Sequence, residues 1–149
     1  MNEKTSNATS PCLISLATAI PRFEIGQSEV QALGKRLFKQ RPKIFERLSG
    51  AYSNAGIERR YSCVPIEWYE QEHGWKDRTK LFVENALELL TSAATEALKE
   101  AELSPDEIDG LVTVSSTGIA VPSLDALLME RMPFRRDVQR LPVFGLGCG

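Results

Sequence analysis

The sequence predicts an α/β fold: a mostly parallel sheet with helices on its faces. Three observations predict it. Short uncharged runs recur along the chain, at Cys12–Ile20, Leu111–Ser115 and Pro142–Gly149. Segments with apolar residues every three or four positions lie between them. The runs are uncharged and mainly apolar, which suits strands buried on both faces. The resulting order is strand, helices, strand, long helix, strand, helix, strand, as expected of parallel strands joined by helices.

Taken in order, residues 1–10 (MNEKTSNATS) are polar and read as a disordered tail. Residues 11–149 form the folded unit, without a linker or internal repeat. Cys12–Ile20 (CLISLATAI) is a buried strand stopped by Pro21. Ser28–Gln40 places Val30, Leu33 and Leu37 at helical spacing, with Pro42 as its stop. Lys43–Ser53 is a second short helix with Ile44, Phe45 and Leu48 on one side, although Gly50 counts against it. Gly56 opens the extended segment GIERRYSCV, which ends at Pro65. The stretch Pro65–Gly74, with Trp68 and Tyr69, shows no period. Asp77–Ala101 is the strongest helix, since Phe82, Ala86, Leu89, Leu90, Ala93, Ala97 and Ala101 recur every three or four residues. Its alanines suit close packing on a sheet. Ser104-Pro105-Asp106-Glu107 is a helix-start signal, limited to one turn by Gly110. Leu111–Ser115 is a strand. Pro122 and Ser123 begin a helix through Leu124, Leu127, Leu128 and Met132, ended by Pro133. Pro142–Gly149 (PVFGLGCG) is a buried strand running into a glycine-flanked turn.

Composition bounds the function. At 149 residues and 16.6 kDa the chain fits one domain. Its 42% hydrophobic and 26% charged residues exclude a collagen-like, low-complexity or wholly disordered chain. A net charge of −2 and a pI near 5.5 argue against broad nucleic-acid binding, while leaving room for a local basic pocket. The longest uncharged stretch, Gly110–Leu124, is shorter than the ~20 residues of a membrane span. No secretory leader opens the sequence. Three scattered cysteines, Cys12, Cys63 and Cys148, make neither a disulfide framework nor a CxxC metal site. The expected compartment is the cytoplasm, with no metal and no membrane span.

Cys148 is the sharpest chemical feature. It sits between Gly147 and Gly149 after an apolar strand, where α/β sheets gather ligands and where glycines allow a substrate close approach. A helix starting just beyond it would favour the nucleophilic thiolate. On spacing alone the ordinary reading is a buried structural cysteine. Cys12 and Cys63 lack the glycine setting and read as simple hydrophobes. His73 is the chain's one histidine and reads as a surface residue, so no base for Cys148 is evident. Ser116-Thr117-Gly118 follows a strand end and either lines a pocket or makes a turn bent at Gly118. Arg59 and Arg60, with Arg47 upstream, suit phosphates or a solvated face. Arg135, Arg136 and Arg140 alternate with Asp137 and read as polar surface.

Three segments together, GIERRYSC (Gly56–Cys63), VTVSSTGIAVPSLDA (Val112–Ala126) and FGLGCG (Phe144–Gly149), resemble the N-terminal half of type III polyketide synthases. This is the chalcone and stilbene synthase family, in its bacterial branch. The resemblance runs from about Pro11 to Gly149. It implies a thiolase-like fold, here incomplete, and a homodimer in the full-length family. It implies no bound cofactor, with acyl-coenzyme A and malonyl-coenzyme A as substrates. Cys148 matches the cysteine that accepts the starter acyl group before decarboxylative condensation with malonyl-coenzyme A. Ser116 and Thr117 match residues lining the initiation and cyclisation cavity. Val121 matches a position, often methionine, that reaches across the dimer interface. Near the coenzyme A entrance, where many relatives carry a basic residue, this chain has Asn54, and Arg47 is the alternative source of charge. The family's catalytic histidine and asparagine match nothing in residues 1–149, so the chain alone is expected to be inactive. β-Ketoacyl-acyl carrier protein synthase III, which shares the fold, ranks second. A non-catalytic binding or dimerisation fragment is the reading from another class.

Overall fold

The computed structural model describes residues 10–145. Its elements are β1 (Phe23–Gly26), α1 (Gln27–Leu37), α2 (Pro42–Asn54), β2 (Arg59–Ser62), α3 (Trp75–Glu100), β3 (Gly110–Ser115), α4 (Leu124–Leu128) and β4 (Gln139–Phe144). Short 3-10 helices at Ile66–Glu70 and Pro105–Glu107 flank α3.

The first part is a helical hairpin set on a two-stranded antiparallel ribbon. β1 pairs with β2 from Phe23↔Ser62 to Gly26↔Arg59. α1 starts directly after Gly26, whose N–H donates to the Glu29 carboxylate at 2.9 Å. Lys35 and Arg36 occupy its last turn, where cations complement the exposed carbonyls. Pro42 does not stop this helix. It is the first residue of α2, a position where its fixed φ suits the helix and its missing N–H costs nothing. Ile25, Leu33 and Val64 are buried beneath the hairpin.

The second part is built on α3, whose 26 residues fulfil the predicted periodicity. Three polar residues inside it donate to carbonyls one turn back: Asn85 to Leu81, Thr91 to Leu87 and Thr95 to Thr91. The helix ends where the Leu103 N–H returns to the Leu98 carbonyl at 3.0 Å, with Glu102 in the left-handed region at φ 55°. Leu87, Leu124, Leu128 and Met132 form the buried core between α3 and α4, with Leu111 of β3 packed on it. β3 and β4 pair in parallel from Gly110↔Gln139 to Ser115↔Phe144, joined through α4. After β3 the chain lies against α3 at Gly118. A Cβ there would sit 2.3 Å from the Phe82 ring, so this glycine answers a close approach and not a bend.

Several expectations are corrected. Cys12–Ile20 forms no strand. It runs unpaired beside α3, held by the Ser15 hydroxyl on the Ala97 carbonyl at 2.8 Å, with Leu13, Leu16 and Ile20 exposed. A strand requires a neighbouring edge as well as an apolar sequence, and none reaches it among the described residues. The parallel sheet has two strands and is not buried: Val112 and Leu141 are 62% and 58% exposed on its outer face. The helix foreseen from Pro122 to Met132 is confined to Leu124–Leu128. β1 carries no strand signal in the sequence, since it has four residues and one buried side chain. The accessible surface is 11828 Å², against ~7,600 Å² from area scaling for a compact monomer of this mass. No helix among the described residues is long and apolar enough to cross a membrane.

Two predictions follow from local contacts. The Glu107 carboxylate accepts the Ser104 N–H and hydroxyl, both at 2.8 Å, and its pKa is lowered by the backbone bond first and the hydroxyl second. A carboxyl with a depressed folded pKa stabilises the fold above its unfolded value, and that contribution is lost as pH falls through the folded value. In a carboxyl NMR titration Glu107 will titrate below the ordinary glutamate range and return towards it in Ser104→Ala. Gly118→Ala will overpack the Phe82 contact and cost about 1–3 kcal/mol in chemical denaturation, with part recovered in the Phe82→Leu background.

Candidate functional site

The C-terminal ends of β3 and β4 lie side by side, the place where α/β sheets collect ligands. A cavity of about 190 Å³ opens there. Thr113 and Ser115 form its floor, Gly118 to Ala120 with Ser123 and Leu124 one wall, and Pro142 to Phe144 the other.

Ser115 joins both walls. Its hydroxyl donates to the Gly118 carbonyl at 2.9 Å and accepts the Gly118 N–H at 3.4 Å, closing the Ser116–Thr117 turn. Its carbonyl accepts the Gly145 N–H at 3.0 Å, anchoring the chain as it leaves β4. Gly145 has φ +101°, with nothing within 4 Å of a Cβ built there, so conformation and not space requires glycine. The sequence reading passed over Ser115. A hydroxyl as the last residue of an apolar strand, before a small-residue turn, was the available signal.

The predicted residues divide between the two parts. Cys148 lies outside the described residues, three positions beyond Gly145. Ser116 and Thr117 are exposed on the turn above the cavity and are not among its lining residues. Val121 is 95% exposed at the tip of the loop before α4. Arg47 and Asn54 are exposed on α2, seven residues apart and so on one face of that helix. α2 packs on α1, away from the cavity wall. Arg59 reaches Glu24 at 3.4 Å and Arg60 Nε donates to Gln27 at 2.8 Å, so both face solvent within the ribbon. His73 is half-buried instead of free on the surface: its ring stacks on Trp68 at 3.8 Å and Nε2 meets the Trp68 carbonyl at 2.9 Å. Cys12 is exposed and Cys63 half-buried.

Arg140, read from sequence as polar surface, departs most from expectation. Its Nη1 donates to Asp125 Oδ2 at 2.9 Å, and the Asp125 side chain is 1% exposed. No group of His, Cys, Asp or Glu side chains among the described residues is gathered as a metal site.

Comparison with known proteins places this geometry. Residues 2–149 match the family model for the N-terminal domain of chalcone and stilbene synthases. A 1,3,6,8-tetrahydroxynaphthalene synthase of Streptomyces peucetius subsp. caesius is 37% identical over 131 residues, covering 88% of this chain and 35% of that protein. The crystal structure of 1,3,6,8-tetrahydroxynaphthalene synthase from Streptomyces coelicolor A3(2), a bacterial type III polyketide synthase, superposes with a TM-score of 0.81 at 29% identity, over 90% of this chain and 39% of that one. CsyB complexed with CoA-SH, the acylalkylpyrone synthase of Aspergillus oryzae, superposes with a TM-score of 0.80 at 26% identity, over 91% and 37%. The chain thus spans under two-fifths of the length of these relatives. The α/β architecture is the thiolase-like one of these synthases, and the chain belongs to the chalcone and stilbene synthase family, as its N-terminal domain.

Proposed function

We propose that the chain carries the nucleophile of a type III polyketide synthase, Cys148, and that its β3–β4 cavity receives the acyl group. One observation carries the reading. β4 ends beside a cavity at the C-terminal edge of a parallel pair, and the sequence Gly-Leu-Gly-Cys-Gly continues directly from it. The tetrahydroxynaphthalene synthase relatives and the coenzyme A complex of CsyB support the substrate class.

In this reaction the Cys148 thiolate attacks the carbonyl of an acyl-coenzyme A. The new thioester forms as coenzyme A leaves as a thiolate and takes up a proton. Malonyl-coenzyme A then loses carbon dioxide by cleavage of its carboxyl C–C bond. The resulting enolate attacks the Cys148 thioester, a C–C bond forms, and the Cys148 thiolate departs. The condensed product is a β-ketoacyl-coenzyme A, which returns its acyl group to the Cys148 thiolate for the next cycle, releasing coenzyme A. Ser116 and Thr117 bound the acyl path from the turn, and exposed Val121 extends towards a partner subunit's cavity. Arg47 and Asn54 receive the coenzyme A end. The one histidine of the sequence, His73, is engaged with Trp68. An unassisted thiol near its reference pKa of ~8.5 is only a few per cent ionised at neutral pH. The enolate likewise needs preorganised donors.

A second reading, a binding fragment that pairs with a full-length synthase, is favoured by the exposed apolar side chains of Leu13, Val112, Val121 and Leu141. Two measurements test these readings. The purified 149-residue chain will release no carbon dioxide from malonyl-coenzyme A. Steady release that is lost in Cys148→Ala would sink the division of labour described above. In static light scattering the isolated chain will associate through its exposed apolar faces, whereas a monodisperse monomer that binds a full-length relative would favour the binding fragment.

A further inference from the structure

We propose that the buried Asp125–Arg140 ion pair is a clamp that sets the distance between the two walls of the β3–β4 cavity, and with it the space open to an acyl group. The proposal rests on the assignment of Cys148 above.

Asp125 is the one charged residue buried among the described residues. It directly follows Leu124, which lines the cavity on the α4 side. Arg140 stands two residues before Pro142, which lines the opposite wall. A single hydrogen bond of 2.9 Å therefore ties the walls together from behind. The β3–β4 ladder sets how β4 lies along β3, but it does not set how far β4 stands from α4. Apolar packing gives β4 little hold there, because Pro142 and Phe144, on the same strand face as Arg140, are both exposed.

The pair is poorly built as a device for stability alone. The bond is single and not bidentate, Arg140 is 40% exposed, and Asp125 Oδ1 has no partner among the described residues. Burying a carboxylate so incompletely satisfied costs free energy that a well-packed apolar side chain would not. What a charged hydrogen bond supplies instead is direction and length. Apolar contacts tolerate sliding, and this bond does not. Asp125 and Arg140 are thus positioning residues that act through β4.

The test uses the full-length gene product, with Asp125→Asn, and with Arg140→Gln and Arg140→Lys as variants at the half-exposed partner. Two quantities are read: hydrogen exchange of the peptide spanning residues 139–145 against that spanning 23–37, and the rate at which Cys148 is loaded from an acyl-coenzyme A, followed by mass. A clamp predicts faster exchange at the Gly145 amide with residues 23–37 unchanged, and slower loading by about tenfold or more, within the hundredfold that a misplacement of ~1 Å can cost. Arg140→Lys, which keeps the charge, will lose less than Arg140→Gln. Unchanged exchange at Gly145 overturns the clamp, as does acceleration throughout the protein, which would mark general stabilisation. If the unsubstituted protein fails to load Cys148, the acyl-transfer reading falls, and exchange at Gly145 still decides the clamp.

Discussion

The surface of α3 is the constraint on which the rest of this structure depends. A 26-residue helix is about 39 Å long at 1.5 Å per residue, and it is the longest element among the described residues. The segment 11–20 is hung on it at Ala97, β3 is packed on its core-facing side through Leu111, and α4 is packed there through Leu124 and Leu128. The turn above the cavity rests on it where Gly118 meets Phe82. These contacts occur at different heights along one helix. A slip of one turn, ~5.4 Å, would displace a whole cavity wall, so the site inherits its dimensions from the register of α3. The Gly118–Phe82 contact is the least forgiving of them, because a backbone pressed on a ring has no side chain to rearrange.

This dependence explains what the sequence disclosed. α3 was legible because its signal is local and long: an apolar stripe repeated over seven turns needs no knowledge of what it packs against. β3 and the β4 core were legible for the same reason on a smaller scale. Cys12–Ile20 was misread because a strand is a relation between two segments, and its composition cannot say whether the second is present. Pro42 was read as a stop when it was a start. The residue suits both roles, and only the position of Arg41 outside α1 separates them. The family itself was legible in three short segments, two of which bound the cavity. Glycines and hydroxyls there are dictated by close approach and turn geometry, which few other residues satisfy.

The electrostatic part of the site was not legible. Asp125 looks like an ordinary first-turn acid, and Arg140 like one member of a basic surface cluster. Their bond joins residues fifteen apart through a fold that neither local pattern reveals. Ser115 was hidden differently. It sits beside Ser116 and Thr117, and composition does not say which of three hydroxyls faces inward. The strand alternation does: Leu111, Thr113 and Ser115 lie on one face, while Val112 and Val114 lie on the other. Counting back from the strand would have singled out Ser115 over its neighbours.

The exposed surface carries the remaining argument. The accessible area of 11828 Å² exceeds the scaling value by about 4,200 Å². Exposed apolar side chains contribute to it in two groups, Val112 and Leu141 on one sheet face and Leu13, Leu16 and Ile20 along an unpaired extended segment. Apolar side chains grouped in this way pack as a core does, unlike apolar residues scattered singly on a surface. The cavity is bounded by the same two strands: Thr113 and Ser115 line it from β3 and Pro142 to Phe144 from β4, while Val112 and Leu141 leave the outer face of those strands exposed. Packing on the outer face and the shape of the cavity are therefore linked through one two-stranded sheet, because a shift of either strand is transmitted to both.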